Sequence, residues 1–158
     1  MNIRTALVQA LICLPLVAVS GTAMAENNYP GLQCVTLAGT VQPTSDGHVE
    51  NTGATTATVA CPVVVDAATS GQAASGTPSV FVTDQNFNSN VCCSSRLKNT
   101  GSSVISGGSS CSAGTNSAYQ GLALTNPSIG YTFTHRWLQC DLPPIYSGQQ
   151  SEVRFYRY

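Results

Sequence analysis

Cysteine usage constrains this chain more than any other feature. Seven cysteines are present. Cys13 sits inside an apolar N-terminal run that reads as a secretion signal. Arg4 supplies the positive region, Ala6 to Val19 the apolar stretch, and Ala23-Met24-Ala25 an A-x-A cleavage site. Residues 1–25 are therefore expected to be a signal peptide, and residues 26–158 one domain by length. Six cysteines remain: Cys34, Cys61, Cys92, Cys93, Cys111 and Cys140. An even number in an exported chain reads as a disulfide framework, with fifteen pairings open. Adjacent Cys92 and Cys93 point to opposite faces on a strand, so they should take different partners. Neither C-x-x-C nor His-rich spacing occurs, so no metal site and no cofactor is expected.

The rest of the composition narrows the class. Net charge is −1, which argues against nucleic acid and against an electrostatic membrane-surface partner. The apolar content, 42%, is too high for a disordered tail. Beyond the signal there is no apolar run long enough to span a membrane.

Past residue 26, Ser, Thr, Gly and Asn dominate and no stretch keeps a helical period. Short β-branched and aromatic runs alternate with turn clusters, which predicts an antiparallel β-sandwich of about seven or eight strands. The strands are expected at Leu32–Thr40, His48–Asn51, Thr55–Val65, Ser79–Thr83, Val91–Leu97, Tyr119–Thr125, Tyr131–Asp141 and Ser151–Tyr158. Pro62 suggests a bulge or an edge position, because proline lacks a ladder donor. Ser79–Thr83 and Val91–Leu97 read as a hairpin with a long loop. Lys98–Ser117 reads as a Gly/Ser loop that a disulfide at Cys111 would pin.

Several short motifs carry a family resemblance. Cys61-Pro62 follows a Thr/Val run. Val91-Cys92-Cys93 follows a Val-Phe-Val-Thr-Asp strand and an Asn-rich turn. Cys140-Asp-Leu-Pro-Pro144 follows an aromatic strand, and the chain closes on Ser-Glu-Val-Arg-Phe-Tyr-Arg-Tyr158. The arrangement resembles a group of small secreted bacterial β-sandwich proteins of unknown function with four similarly placed cysteines. It covers nearly the whole chain after the signal. The matching cysteines are Cys34, Cys61, Cys93 and Cys140, whereas Cys92 and Cys111 depart from the pattern. The resemblance implies a Cys92–Cys111 staple across the Gly/Ser loop and leaves the other four cysteines to make two bridges, expected here as Cys34–Cys61 and Cys93–Cys140. It carries over no functional residue.

Candidate chemistry is sparse. Asp84-x-Asn86-x-Asn88-x-Asn90 resembles the opening of a calcium loop, but Ser89 stands where glycine is needed and Ser95 where a bidentate Glu is needed. Asx residues in a turn are the simpler reading. His48 and His135 are the only imidazole bases, and no G-x-S-x-G elbow is present. Seven acids, Glu26, Asp46, Glu50, Asp66, Asp84, Asp141 and Glu152, follow the signal, and no spacing selects a catalytic pair. Tyr131, Phe133, His135 and Trp137 share one strand face at period two. Phe133 and Trp137 are expected in the core; if exposed, Tyr131, Phe133 and Trp137 become ligand-contact aromatics.

The expectation is an exported, non-enzymatic protein of the periplasm or extracellular space, with a structural or binding role and a glycan or envelope protein as partner. Three rivals make distinct demands. A carbohydrate-binding module needs exposed aromatics on one face. A pilin-like fibre subunit needs an open groove and a terminal strand free to pair with a neighbour. A small secreted hydrolase needs a histidine bonded to an acid and a nucleophile in a cleft.

Overall fold

A computed structural model of the chain describes residues 27–64, 77–99, 103–127 and 134–158. The signal segment, Tyr131 and Phe133 lie outside the described residues. Among the described residues the fold is an antiparallel β-sandwich of eleven strands: β1 (Asn28–Pro30), β2 (Val35–Ala38), β3 (Val41–Pro43), β4 (Val49–Asn51), β5 (Ala57–Pro62), β6 (Ser79–Asp84), β7 (Cys92–Asn99), β8 (Val104–Cys111), β9 (Asn116–Ala123), β10 (Thr134–Leu142) and β11 (Glu152–Arg157). One sheet runs β3-β4-β11-β6-β9, with β1 beside the far half of β11. The other runs β2-β5-β10-β7-β8.

Period-two alternation builds the core. In β5 the positions Ala57, Val59 and Cys61 are buried while Thr58 and Ala60 reach solvent. In β10 the buried set is Leu138, Cys140 and Leu142. Val80 and Val82 of β6, Val153 and Tyr156 of β11 and Leu122 of β9 close the layer from the opposite sheet. The core is rich in valine and short of large residues, and Tyr156 is its largest fully buried side chain. Half-cystines Cys34, Cys61, Cys93 and Cys140 fill the remaining volume as small apolar groups.

All three disulfides belong to the five-stranded sheet. Cys34 joins Cys61, Cys92 joins Cys111, and Cys93 joins Cys140. Cys93 lies directly opposite Cys140 on β10, and Cys92 directly opposite Cys111 on β8. The adjacent cysteines of β7 thus serve opposite faces: Cys93 is buried in the core and Cys111 is exposed. The bridges lace β2 to β5 and β7 to both its neighbours.

Two buried polar side chains tie the layers together. Asn51 Nδ2 donates to the carbonyls of Thr55, Leu142 and Pro143 at 2.8–3.0 Å, and its Oδ1 accepts from Gly53 N at 2.8 Å. Tyr156 crosses from β11 to β5, its hydroxyl donating to Pro62 O at 2.7 Å and its ring stacked on Tyr29. Burial, then the neighbouring Tyr29, pushes the Tyr156 phenol up to about 12.

Three expectations change. The segment between β6 and β7 is not a hairpin: β6 pairs with β11 and β9, and β7 with β10 and β8. The Asx turns at Asp84 and Asn86 turn a corner between sheets, and the Cys93–Cys140 bridge holds β7 in the second one. The Gly/Ser loop contains an edge strand, β8, in register with β7. An edge strand needs backbone pairing more than apolar side chains. Gly107 is required there, because a Cβ would lie 1.9 Å from Thr125 O. Finally, Trp137 is half-buried and outside the core. The inward face of β10 belongs to Leu138, Cys140 and Leu142, which places Trp137 on the outer side, opposite Arg96 and Pro62. Pro62 itself is the last residue of β5, past the reach of β2, where no ladder donor is demanded.

Candidate binding face

Outward residues of the six-stranded sheet make the most distinctive surface. In β6 the buried valines Val80 and Val82 leave Phe81 pointing outward. In β11 the register shifts between Val153 and Phe155, so Val153 and Tyr156 both face the core and Arg154 and Phe155 lie together outside. Phe155 and Phe81 are directly paired across the two strands. Their rings stack with centroids 4.2 Å apart and planes 14° apart. Tyr119 of β9 meets both edge-on, at 6.0 and 6.3 Å, and is 56% exposed. The Arg157 guanidinium lies 5.4 Å from the Phe81 centroid.

Gly121 leaves room for the Phe81 ring beside β9. It pairs directly with Phe81, and a Cβ there would sit 3.1 Å from the ring. The ring rests on bare backbone instead. Pro30 of β1 pairs with Phe155 on the other side. The apolar strip therefore crosses four strands, from β1 through β11 and β6 to β9.

A polar row runs beside this strip on the same face. Glu152 pairs with Glu50 across β4 and with Thr83 across β6. Glu152 Oε1 accepts from Arg154 Nε at 3.0 Å, and Oε2 lies 3.2 Å from His48 Nδ1. A Thr44–His48 turn fixes the base of the imidazole: Thr44 N donates to His48 O, and His48 N to Thr44 Oγ1. The row sets the Glu50 and Glu152 carboxylates and the Arg154 guanidinium beside the aromatic strip.

The hydrolase demands are met only in part. His48 has its acid, but Glu152 is already engaged by Arg154, and the ring's hydrogen bond among the described residues runs to Glu152 alone. His135 is exposed on β10 opposite Lys98. Of the described strands nearest the two ends of the chain, β11 lies inside its sheet between β4 and β6, whereas β1 pairs with β11 alone among the described residues.

The Asp84 motif is a corner. Asp84 Oδ1 accepts from Asn86 N and Ser151 Oγ, each at 3.0 Å. Its Oδ2 accepts from Ser112 Oγ at 2.5 Å and Val91 N at 3.3 Å. Asn86 Oδ1 in turn accepts from Asn88 N and Ser89 N. These oxygens are spent on the chain's own donors. Among the described residues no cluster of three or more His, Cys, Asp or Glu is placed to hold a metal ion.

Sequence reasoning missed Phe81, Tyr119 and Gly121. Alternation marks Phe81 as opposite in sense to Val80 and Val82, but nothing local announces that β9, β6 and β11 are neighbours. Of the aromatics singled out in the sequence, the described structure places Trp137 on the other sheet, away from this platform.

No family model matches the chain, and no curated protein matches it. Among solved structures it is similar to a family two carbohydrate esterase from Cellvibrio japonicus, at 10% identity and a TM-score of 0.47. That match covers 84% of this chain but only 33% of the esterase chain. It is also similar to the CBM36-1 domain of a multidomain xylanase from the hindgut metagenome of Trinervitermes trinervoides, at 15% identity and a TM-score of 0.43, covering 84% of this chain and 94% of that one. Among the described residues no helix is long and apolar enough to cross a membrane.

Proposed function

We propose that this is an exported, non-enzymatic carbohydrate-binding protein that stacks sugar rings on the Phe81–Phe155–Tyr119 face. One observation carries the reading: a stacked aromatic pair, with a third ring 56% exposed, lies on an outward sheet face beside a glycine that leaves room for it. Aromatic rings bind the C–H-lined faces of pyranoses by the same dispersion and edge interactions that pair rings with one another. Glu50, Glu152 and His48 supply hydrogen-bond partners for the equatorial hydroxyls. Export is supported by the N-terminal pattern and by disulfides that persist in oxidising compartments.

A glycan array probed with the purified protein tests this, with reducing-sugar release measured on every hit. The expected result is binding to neutral glycans with no release. An array that stays silent overturns the reading. Release of reducing ends lost in Glu50→Gln would favour a hydrolase instead, because Glu50 and Glu152 stand directly opposite each other on this face.

A further inference from the structure

The second feature lies at one end of the sandwich, where the corner after β6 and the turn before β11 frame an open recess of about 450 Å³. Gln85, Phe87, Thr115, Tyr146, Ser147 and Gln149 line it. The recess is shallow and open to solvent, a shape that can contact one side of a ligand. Phe87 is 75% exposed and Tyr146 38%. A single exposed apolar residue needs no explanation, but both of these are mounted rigidly. Phe87 sits inside the Asx turn made by Asn86, directly after the one made by Asp84. Tyr146 opens a turn closed by two backbone bonds to Gln149, with Ser147 at φ 51° and Gly148 at φ 77°. Left-handed backbone at Ser147 is costly for a residue with a Cβ and persists only where the surroundings impose it. Asn86 Nδ2 donates to Pro144 O at 2.8 Å, bolting one wall of the recess to the other. Gln85 N donates to Ser151 Oγ, which is itself held by Asp84.

The lining is two aromatic rings, two amides and two hydroxyls, with no side chain charged at neutral pH. That chemistry suits a neutral sugar ring and does not suit a phosphate, a carboxylate or a cation. The recess lies at the end of the same two strands that carry the platform. Phe81 and Gln85 belong to one strand and its exit, and Tyr119 and Thr115 to the adjacent one. Four residues of extended chain separate each pair, roughly 13 Å. We propose that the recess is a second subsite, engaging a further ring of the same neutral oligosaccharide that lies on the platform. The ligand class rests on the function proposed above. A chain of several rings reaches both places, and one ring or two does not.

The test titrates the isotopically labelled protein with cellobiose and with cellohexaose, flat neutral β-linked ligands, and follows its amide resonances. The side-chain amides of Gln85 and Gln149 report the recess; the backbone amides of Phe81, Gly121 and Phe155 report the platform. The same titrations are repeated on Phe87→Ala, a change at an exposed site that leaves the core intact. The expected result is that cellobiose moves platform resonances, cellohexaose moves both sets, and Phe87→Ala weakens cellohexaose about three- to tenfold without changing cellobiose, as for one aromatic contact. Platform shifts with a silent recess for both ligands would overturn the second subsite and leave the platform reading standing. Silence in both sets would overturn the two together.

Discussion

Replacing Asp84 with asparagine preserves the side chain's shape, yet it should cost about 2–3 kcal/mol of stability. The reason lies in what each carboxylate oxygen receives. Each accepts one backbone N–H, which cannot turn, and one serine hydroxyl, which can. An amide nitrogen cannot replace Oδ1, because Asn86 N has no other acceptor there. At Oδ2 the exchange is tolerable. Val91 N already donates to Ser112 Oγ at 2.9 Å, and the Ser112 hydroxyl can swing to Val91 O at 3.3 Å. The asparagine therefore settles with Nδ2 toward Ser112, loses one charge-assisted bond and weakens two others. Asp84→Ala strands Asn86 N and Ser151 Oγ, removes the charge-assisted bonds at Val91 N and Ser112 Oγ and leaves a void in a fully buried site, so it should cost more, about 4 kcal/mol. Equilibrium urea unfolding with the disulfides intact measures both, provided the m-value is unchanged. A neutral Asp84→Asn, or an Asp84→Ala no worse than Asp84→Asn, would refute the assignment of Asp84 as the sheet-to-sheet corner.

Further outcomes follow from the same contacts. Millimolar calcium should leave the wild-type unfolding curve in place, because the Asp84 and Asn86 oxygens are occupied; a clear shift toward stability would revive the cation-loop reading. Tyr156→Phe should cost about 1–2 kcal/mol at neutral pH by orphaning Pro62 O. The folded phenol keeps its proton to about 12, whereas the unfolded one loses it near its ordinary value of about 10. The phenol's contribution is therefore complete below pH 10 and drains between pH 10 and about 12, at ~1.4 kcal/mol per pH unit. At pH 11 the gap between wild type and Tyr156→Phe should have narrowed by about that amount, and a gap constant from pH 9 to 11 would contradict the burial argument. Under mild reductant, mass mapping of trapped thiols should show Cys92–Cys111 opening first, since Cys111 is exposed and the other two bridges lie in the core. Each bridge closes a loop of 19, 27 or 47 residues, so each lost bridge should lower stability by about 3–4 kcal/mol. Gly121→Val should lift the Phe81 ring and weaken glycan binding while the fold survives, as read by near-UV circular dichroism and the array.

The fold was legible wherever local chemistry determines it. Alternation in Thr55–Val65 exposes β5, and the adjacency of Cys92 and Cys93 requires two partners on two faces. What alternation leaves open is which face is inside. Trp137 has the right period on β10 and the wrong side, because Leu138, Cys140 and Leu142 are the set that meets the opposite sheet. Bulk alone points the other way. β8 was unreadable for a different reason: its Ser and Gly residues carry no strand preference, and pairing to β7 with a terminal disulfide supplies the stability. The binding face was the least legible part. Phe81, Tyr119 and Phe155 come from strands far apart in the chain, and only the β9-β6-β11 order unites them. Glu50 and Glu152 likewise become a pair only through the β4–β11 register.

The proposed binding site is the outer face of the six-stranded sheet and not the sheet that carries Trp137. Calorimetric titration of the best-binding neutral oligosaccharide into wild type, Tyr119→Ala and Trp137→Ala tests it most directly, because the two changes lie on opposite outer faces of one sandwich. Tyr119→Ala should lose about tenfold or less, but clearly resolved, the size of one aromatic contact, with Trp137→Ala binding as wild type does. Unchanged binding in Tyr119→Ala together with loss in Trp137→Ala would place the ligand on the other sheet and contradict it.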